Sequence, residues 1–346
     1  MTGKRKAGVV LFQLGGPDSR EAVQPFLHNL FCDPAIIPLG PLGAILRHPL
    51  AWWISTRRAR VAAGHYDAIG GSSPIRRLTE QQRDALAAAL APSLYAVVVV
   101  AMRYWHPLTH EAVEELRRRG PFEEMVLLPL YPQYSYATTQ SSFKEWERVY
   151  GAPREGPAVR RVEQFYDHPL YIEALVERIR EALREFENPE EVHLVFSAHG
   201  LPMGLVENGD PYPRQIEETV RLVCRKGAES GAGATKAPAW PPRHTLCYQS
   251  RVGRQKWLEP SLTATIERLG RQGVRKMLVA PIAFVTEHIE TLHEINIEAR
   301  EEAARLGVSE FRVMPALNDS PLFISALADL VLRAIGSERT AHAARG

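Results

Sequence analysis

Two stretches of this chain carry residues that could move protons or hold a metal ion. The first is Val195-Phe196-Ser197-Ala198-His199-Gly200-Leu201-Pro202. Just before it, Val192-His193-Leu194-Val195-Phe196 is β-branched and almost wholly apolar, the pattern of a strand buried on both faces. Small residues, Gly and Pro then stop the element. This places His199 in a loop just past the carboxyl end of a strand, where open α/β sheets bind their ligands. Such a histidine is either structural, satisfied by a turn carbonyl, or functional, with its ring left uncovered by small neighbours.

The second stretch runs from Thr286 to Glu298. Thr286 can cap a helix, with Glu287 and His288 in its first turn. Glu287, Glu290, Glu294 and Glu298 fall at spacings of three, four and four, so an α-helix puts them on one face. Leu292, Ile295, Ala299 and Ala303 form a separate apolar stripe. A row of acids is usually a solvated face. This one follows a strand, Met277–Ala280, and so begins at the same kind of sheet edge as His199. A neutral imidazole facing carboxylates across a cleft can accept protons and hold a divalent metal through N and O ligands. No Cys/His cluster completes four ligands, which excludes a closed structural metal site.

The elements that must position these groups recur twice. In the first half, strand Gly8–Leu14 leads into a Gly-Gly-Pro turn with Asp18 or Ser19 as helix cap. Strand Tyr95–Ala101 then leads through Arg103-Tyr104-Trp105-His106-Pro107 to a helix over Thr109–Arg119, and a third strand covers Met125–Leu128. In the second half, strands Val192–Phe196, Thr245–Tyr248 and Met277–Ala280 follow in the same order. Met-Val-Leu-Leu-Pro-Leu at 125–130 answers Met-Leu-Val-Ala-Pro-Ile at 277–282. Alternating strands and helices imply parallel sheets covered by helices. The expectation is an α/β protein of two similar, doubly wound, Rossmann-like domains facing each other across a cleft. The first spans 1–165 plus a carboxyl-terminal helix within 316–346; the second spans 166–315 and carries both stretches described above. A final helix begins at Asp319-Ser320-Pro321, with a frayed tail from Gly336. Gly227–Pro242, rich in Gly, Ala and Pro, reads as a surface loop.

A length of 346 residues suits two domains. Apolar residues at 45% and charged residues at 24% are those of a globular chain, and a net charge of +2 gives no reason to expect nucleic acid. Cys32, Cys224 and Cys247 are scattered and odd in number, which argues against a disulfide framework. Lys4-Arg5-Lys6 and the apolar run after it mimic a signal peptide, but the run is a strand's length and lacks a small-residue cleavage site. A cytoplasmic, monomeric protein is the expectation. No apolar run approaches the roughly 18 residues of a membrane span. Residues 38–60 stand apart: Leu39, Leu42, Ile45, Leu46, Leu50, Trp52 and Trp53 are followed by Arg57-Arg58-Ala59-Arg60. They form either a helix packed on the core or an exposed apolar lip with a basic edge, and the paired tryptophans favour a lip able to touch a membrane surface or cover a flat ligand.

Several motifs together resemble the ferrochelatases. In the second half these are Ser-Ala-His-Gly-Leu-Pro at 197–202, Gly-Asp-Pro-Tyr-Pro at 209–213, Gln-Ser-Arg-Val-Gly at 249–253, Trp257-Leu258-Glu259-Pro260 and Phe-x-x-x-His-Ile-Glu-Thr-Leu at 284–292. In the first half they are Leu14-Gly15-Gly16-Pro17, Ile69-Gly70-Gly71-Ser72-Ser73-Pro74-Ile75, Arg103-Tyr104-x-His-Pro and Tyr131-Pro132-Gln133-Tyr134-Ser135. The resemblance runs from about residue 8 to residue 335 and keeps motif order, far more than a dinucleotide fingerprint alone.

The resemblance implies insertion of ferrous iron, as substrate, into a porphyrin late in haem synthesis. It implies that His199 and Glu290 line the reaction centre as catalytic and metal-holding groups. His199, neutral near pH 7, would be the proton acceptor or a transient iron ligand. Glu290 would act from the opposite face, with Glu287, Glu294 and Glu298 as a route outward. Bending the flat macrocycle needs a rigid apolar clamp, for which Leu14, Trp257 and Phe284 resemble family positions, with Tyr104 and His288 also at the porphyrin. Arg103, Tyr66, Ser73 and Ser250 are candidate propionate donors, although turn chemistry explains the two serines equally well. Many members have Asp where Glu287 stands. Members with an iron–sulfur cluster carry cysteines near the carboxyl end; none follows Cys247 here, so no cluster is expected. Coproporphyrin-type members tend to have Tyr where Leu14 stands, so protoporphyrin IX is the expected partner, with peripheral membrane contact through the lip at the inner face of the membrane.

Other classes fit less well. A dinucleotide-dependent dehydrogenase needs Gly-x-Gly-x-x-Gly after the first strand, and Leu14-Gly15-Gly16-Pro17-Asp18 is not that. A non-catalytic tetrapyrrole carrier has no use for a His199/Glu290 pair. A metal hydrolase would want a third fixed ligand and a water-filled pocket.

Overall fold

A computed structural model of the chain describes residues 4–37, 43–151, 156–229, 240–241, 243–251 and 255–336. The tail beyond Gly336, residues 230–239 and 242 of the expected surface loop, and Leu39 and Leu42 of the lip lie outside the described residues.

The chain divides into two compact units. One gathers the residues up to Tyr131, Ser135–Gln164 and the segment from Phe323 on; the other holds Pro132–Tyr134 and Phe165–Leu322. In the first unit the order is β1 (Lys6–Gln13), α1 (Val23–Phe31), α2 (Gly43–Ala68), α3 (Ile75–Leu90), β2 (Tyr95–Met102), α4 (Thr109–Arg119), β3 (Glu124–Pro129), α5 (Thr139–Tyr150) and β4 (Ala158–Arg161). In the second it is α6 (Pro169–Leu183), β5 (His193–His199), α7 (Met203–Glu207), α8 (Tyr212–Glu229), β6 (Arg243–Gln249), α9 (Leu262–Arg271), β7 (Lys276–Pro281), a π-helix (Glu290–Ala299), α10 (Arg300–Arg305) and β8 (Glu310–Val313). The last helix, α11 (Pro321–Gly336), begins at the anticipated Pro.

Each unit holds one four-stranded parallel sheet, ordered β2-β1-β3-β4 and β6-β5-β7-β8. The two orders are the same, and the short internal sequence match is its visible trace. Leu130 donates its N–H to the Phe12 carbonyl at 2.9 Å, and its counterpart Ile282 donates to Ser197 at 3.0 Å. The central strands β1, β3, β5 and β7 are buried nearly throughout, as β-branched apolar runs must be when both faces are covered. Sequence reading missed β4 and β8. Both are four-residue edge strands, and β4, Ala-Val-Arg-Arg, carries the charges that protect an edge from further pairing and hide its strand pattern.

Three local expectations change. β5 extends to His199, so that histidine closes the strand, paired with Gln249, instead of lying in the loop beyond it. Gly227–Glu229 form the end of α8, where Gly227 is required because a Cβ there would lie 2.4 Å from the Trp240 ring. The lip is helical: α2 buries Ala51 and Ser55 and exposes Trp52 (59%) and Trp53 (50%), with the Arg57 guanidinium 4.4 Å from the Trp53 ring centroid.

Candidate active site

The sheet order of the second unit explains where the chemistry sits. With β5 flanked by β6 on one side and β7 on the other, the chain leaves the carboxyl ends of β5 and β7 in opposite directions. A crevice opens at that switch point. His199 ends β5, Gln249 ends β6 with Ser250 just after it, and Glu290 opens the helix that follows β7.

These side chains meet. His199 Nδ1 lies 2.8 Å from Glu290 Oε2. A carboxylate only accepts, so Nδ1 carries the proton and Nε2 is left as the basic nitrogen of the neutral ring. The His199 side chain keeps 39% of its surface exposed. Removal from water would by itself lower the imidazole pKa, but the charge and hydrogen bond of Glu290, with Glu294 behind it, raise it above the ordinary value. Removal from water works against the Glu290 carboxylate too, yet His199 above all, with His288 and Ser250, holds it below the usual carboxylate range. The contact corrects the placing of His199 and Glu290 on opposite faces, since both belong to one unit and touch.

A second acid follows. The Ser250 N–H donates to Glu294 Oε1 at 2.7 Å, and its hydroxyl lies 3.0 Å from Glu290 Oε2 and in contact with Glu294 Oε2. Ser250 holds φ at 64° to reach both acids, a left-handed backbone that most non-glycine residues avoid. Burial, then the Glu290 charge, raises the Glu294 pKa, so Glu294 is the member of the acid pair that holds a proton more readily. Beyond it a depression of about 340 Å³ is lined by Glu294, Glu298, Glu302, Arg305 and Ser250. Glu290, Ser250 and Glu294 therefore form a polar chain leading from His199 to a cavity mouth.

The helix carrying the acids is not the α-helix expected from Thr286. It begins after Ile289 and runs in π register to Ala299. The wider i→i+5 turn, which recurs at functional sites, keeps Glu290, Glu294 and Glu298 stacked along the axis. Glu287 precedes it and leaves the row: its carboxylate accepts from the Ala316 N–H at 2.8 Å and contacts the Thr291 hydroxyl. Glu298 is 53% exposed and sits 3.6 Å from His293.

An aromatic wall adjoins the pair. Phe284 meets the His199 ring edge-on at 6.1 Å and the His288 ring at 4.4 Å. His288 is buried; its Nδ1 lies 3.0 Å from the Thr286 carbonyl, which fixes the proton there, and its Nε2 has no hydrogen-bond partner among the described residues. Trp257 is half-buried and bridges to Pro202. Gly200 lets this wall close: a Cβ there would lie 2.7 Å from the Gln249 carbonyl and 3.2 Å from the Trp257 ring.

The other anticipated residues belong to the first unit. Leu14, half-buried, follows β1, and its carbonyl accepts from the Tyr104 N–H at 3.0 Å. Arg103 pairs with the buried Asp33 at 2.9 Å and donates to Ser141 at 2.9 Å. Tyr104 donates its hydroxyl to the same Asp33 at 2.8 Å and is 1% exposed; burial and the Asp33 charge push its pKa well up. Tyr66 and Ser73 are also buried.

Three site residues escaped the sequence reading. Gln249 holds Glu290 at 3.4 Å through Nε2 and accepts from Ser197 at 2.6 Å. Tyr212 donates its hydroxyl to the His199 carbonyl at 3.1 Å, and burial keeps that hydroxyl neutral. Asp33 anchors Arg103. The first two lie inside motifs singled out above, Gln-Ser-Arg-Val-Gly and Gly-Asp-Pro-Tyr-Pro, which was the available signal; nothing local marked Asp33.

Comparison with known proteins bears on the fold and the family. Among solved structures, the chain is similar to SirB from Bacillus subtilis with Fe3+ (TM-score 0.56, 12% identity, 96% of this chain and 97% of that one). It is also similar to DR2241 from Deinococcus radiodurans, described as having structural similarity to chelatases (TM-score 0.51, 15% identity, 96% of this chain); the chain spans 55% of that longer protein. At these identities the likeness shows the two-domain fold. Sequence relatives are much nearer. The ferrochelatase of Synechococcus sp. (strain JA-3-3Ab) is 48% identical over 333 residues, 94% of this chain and 93% of that one. That of Geotalea uraniireducens (strain Rf4) is 47% identical over 333 residues, 96% and 99% of the two chains. A model of the ferrochelatase family matches residues 6–335, nearly the whole chain, and on these grounds the protein belongs to the ferrochelatase family.

Proposed function

We propose that this protein inserts ferrous iron into protoporphyrin IX to form protohaem, the closing step of haem synthesis, and that His199 and Glu290 are its reaction centre. The reaction exchanges one Fe2+ for the two inner N–H protons of the porphyrin. The observation that carries the assignment is the 2.8 Å contact of His199 with Glu290 at the mouth of a polar chain. With Nδ1–H held by Glu290, His199 Nε2 takes a pyrrole proton. Glu290 presents a second charged oxygen to the incoming cation, and protons leave through Ser250 and Glu294 toward the acidic depression. The unpartnered Nε2 of the buried His288 points to a further polar contact in the same site. Phe284, Trp257 and Leu14 are the apolar contacts for the macrocycle, which must bend to expose its nitrogen lone pairs.

The protoporphyrin assignment rests on Leu14, where coproporphyrin-type members tend to have Tyr, and on the exposed apolar side of α2, suited to a porphyrin that partitions toward lipid. No helix among the described residues is long and apolar enough to cross a membrane. We infer a monomer at the cytoplasmic face, touching lipid peripherally through Ile45, Leu46, Trp52 and Trp53. No cysteine follows Cys247, where cluster-bearing members carry theirs, and we infer that the chain works without an iron–sulfur cluster.

The test is anaerobic turnover of protoporphyrin IX and of coproporphyrin III with ferrous iron, followed at the Soret band. Haem formation from protoporphyrin, lost in His199→Ala, is the expected result. Faster turnover of coproporphyrin overturns the Leu14 argument and moves the protein to the other substrate branch. Tight porphyrin binding with no turnover of either leaves a tetrapyrrole carrier.

A further inference from the structure

Away from His199, three metal-ligating side chains of the first unit converge on one point. His28 lies in the last turn of α1, Cys32 caps that helix four residues on, and His48 lies on α2. His48 Nδ1 is 3.5 Å from Cys32 Sγ, and His28 Nε2 is 3.7 Å from it. One donor atom from each of the three lies within 4.8 Å of the others. The two imidazoles stand 5.9 Å apart, tilted by 32°.

The thiol could donate its S–H to one ring and accept an N–H from the other, but the spacing is also that of a metal site: in a tetrahedral site with metal–sulfur near 2.3 Å and metal–nitrogen near 2.05 Å, the sulfur–nitrogen edge is about 3.6 Å. The two separations fall either side of that value. We propose that His28, Cys32 and His48 form a binding site for a borderline-soft first-row divalent cation of the zinc(II) or cobalt(II) kind. His48 is exposed, so the fourth position opens to solvent. Thiolate with two imidazoles suits such ions and disfavours magnesium and calcium, which take oxygen ligands. It also differs in kind from the nitrogen–oxygen set of His199 and Glu290. The bound ion ties the end of α1 to α2, one turn before Trp52, and closes a 16-residue span between Cys32 and His48, a constraint that favours the folded chain.

Cobalt(II) added stepwise to the chelator-treated full-length protein separates this site from the reaction centre, because only a thiolate ligand produces sulfur-to-cobalt charge transfer in the near ultraviolet. Cys247 is fully buried and Cys224 belongs to the other unit. The expected result is a charge-transfer band saturating at a single equivalent. It should be absent in Cys32→Ser, shifted to about tenfold or weaker affinity in His28→Ala and His48→Ala, and unchanged in His199→Ala. Zinc should raise the thermal midpoint of the native chain but not of Cys32→Ser, and the metal-free forms of both should unfold at the same temperature, so that loss of binding is not loss of fold. Absence of the band, its persistence in Cys32→Ser, or indifference to both histidine changes overturns the proposal.

Discussion

His199 and Glu290 are 91 positions apart in the chain and 2.8 Å apart in space. Two parallel strands side by side, β5 and β7, bring this about: β5 ends in His199, and the helix that follows β7 opens on Glu290. The pair then shares one proton between an imidazole and a carboxylate, and its titration becomes a property of both groups.

Replacing the base is the first consequence. His199→Ala should lower kcat/KM for iron insertion by about 10²–10⁴, while porphyrin binding, read by fluorescence quenching, changes little. Comparable loss of binding and turnover would make His199 a packing residue.

The pair also sets a pH signature. Glu290 raises the His199 pKa above its ordinary 6.5, so this part of the stabilisation is complete below 6.5 and lost as pH climbs through the raised value. His199 lowers the Glu290 pKa from 4.5, so that part is complete above 4.5 and lost as pH falls through the depressed value. Thermal midpoints should be highest between these limits, and Glu290→Gln should flatten the profile. Activity needs Nε2 free, so kcat/KM should rise with pH around a midpoint above 6.5. In Glu290→Gln that midpoint should move downward, because removal from water is then opposed only by the charge of Glu294.

Ser250 separates two causes. Ser250→Ala removes the hydroxyl between Glu290 and Glu294, and kcat should fall by about tenfold with the fold intact. Ser250→Gly removes the same hydroxyl but relieves the φ of 64°. Equal loss in both identifies the hydroxyl as the working part; native-like turnover in the glycine variant assigns Ser250 to backbone geometry.

Gly200 tests the wall. A methyl there meets a backbone carbonyl at 2.7 Å, an obstacle that cannot rotate away. Gly200→Ala should cost about 1–3 kcal/mol in urea unfolding and shift Trp257 fluorescence.

The lip can be removed without touching the core. Trp52→Ser with Trp53→Ser should leave the thermal midpoint within about 0.5 kcal/mol of native stability and reduce sedimentation with anionic vesicles. Undiminished vesicle binding would dismiss the lip as the contact.

Much of this protein is written locally. Nearly continuous apolar runs specify β1, β3, β5 and β7, because a strand covered on both faces has little room for polar side chains. Gly, Pro and cap residues delimited α4 and the start of α11 almost to the residue. Motif order alone carried the resemblance that the comparisons bear out. What the sequence could not state is whatever depends on strand order and on packing between distant segments. No residue of β5 encodes that β6 and β7 are its neighbours, yet that order brings His199, Ser250 and Glu290 together. The glutamate spacing reads as an α-helical face, whereas packing winds the segment in π register and turns Glu287 toward Ala316. Tyr66 and Ser73 carry polar groups, and only the folded chain shows how deeply they are buried. Strand, cap and turn preferences are properties of a few consecutive residues and can be read from them; hydrogen-bond partners and solvent exposure are set by residues tens of positions away, and only the folded chain decides them.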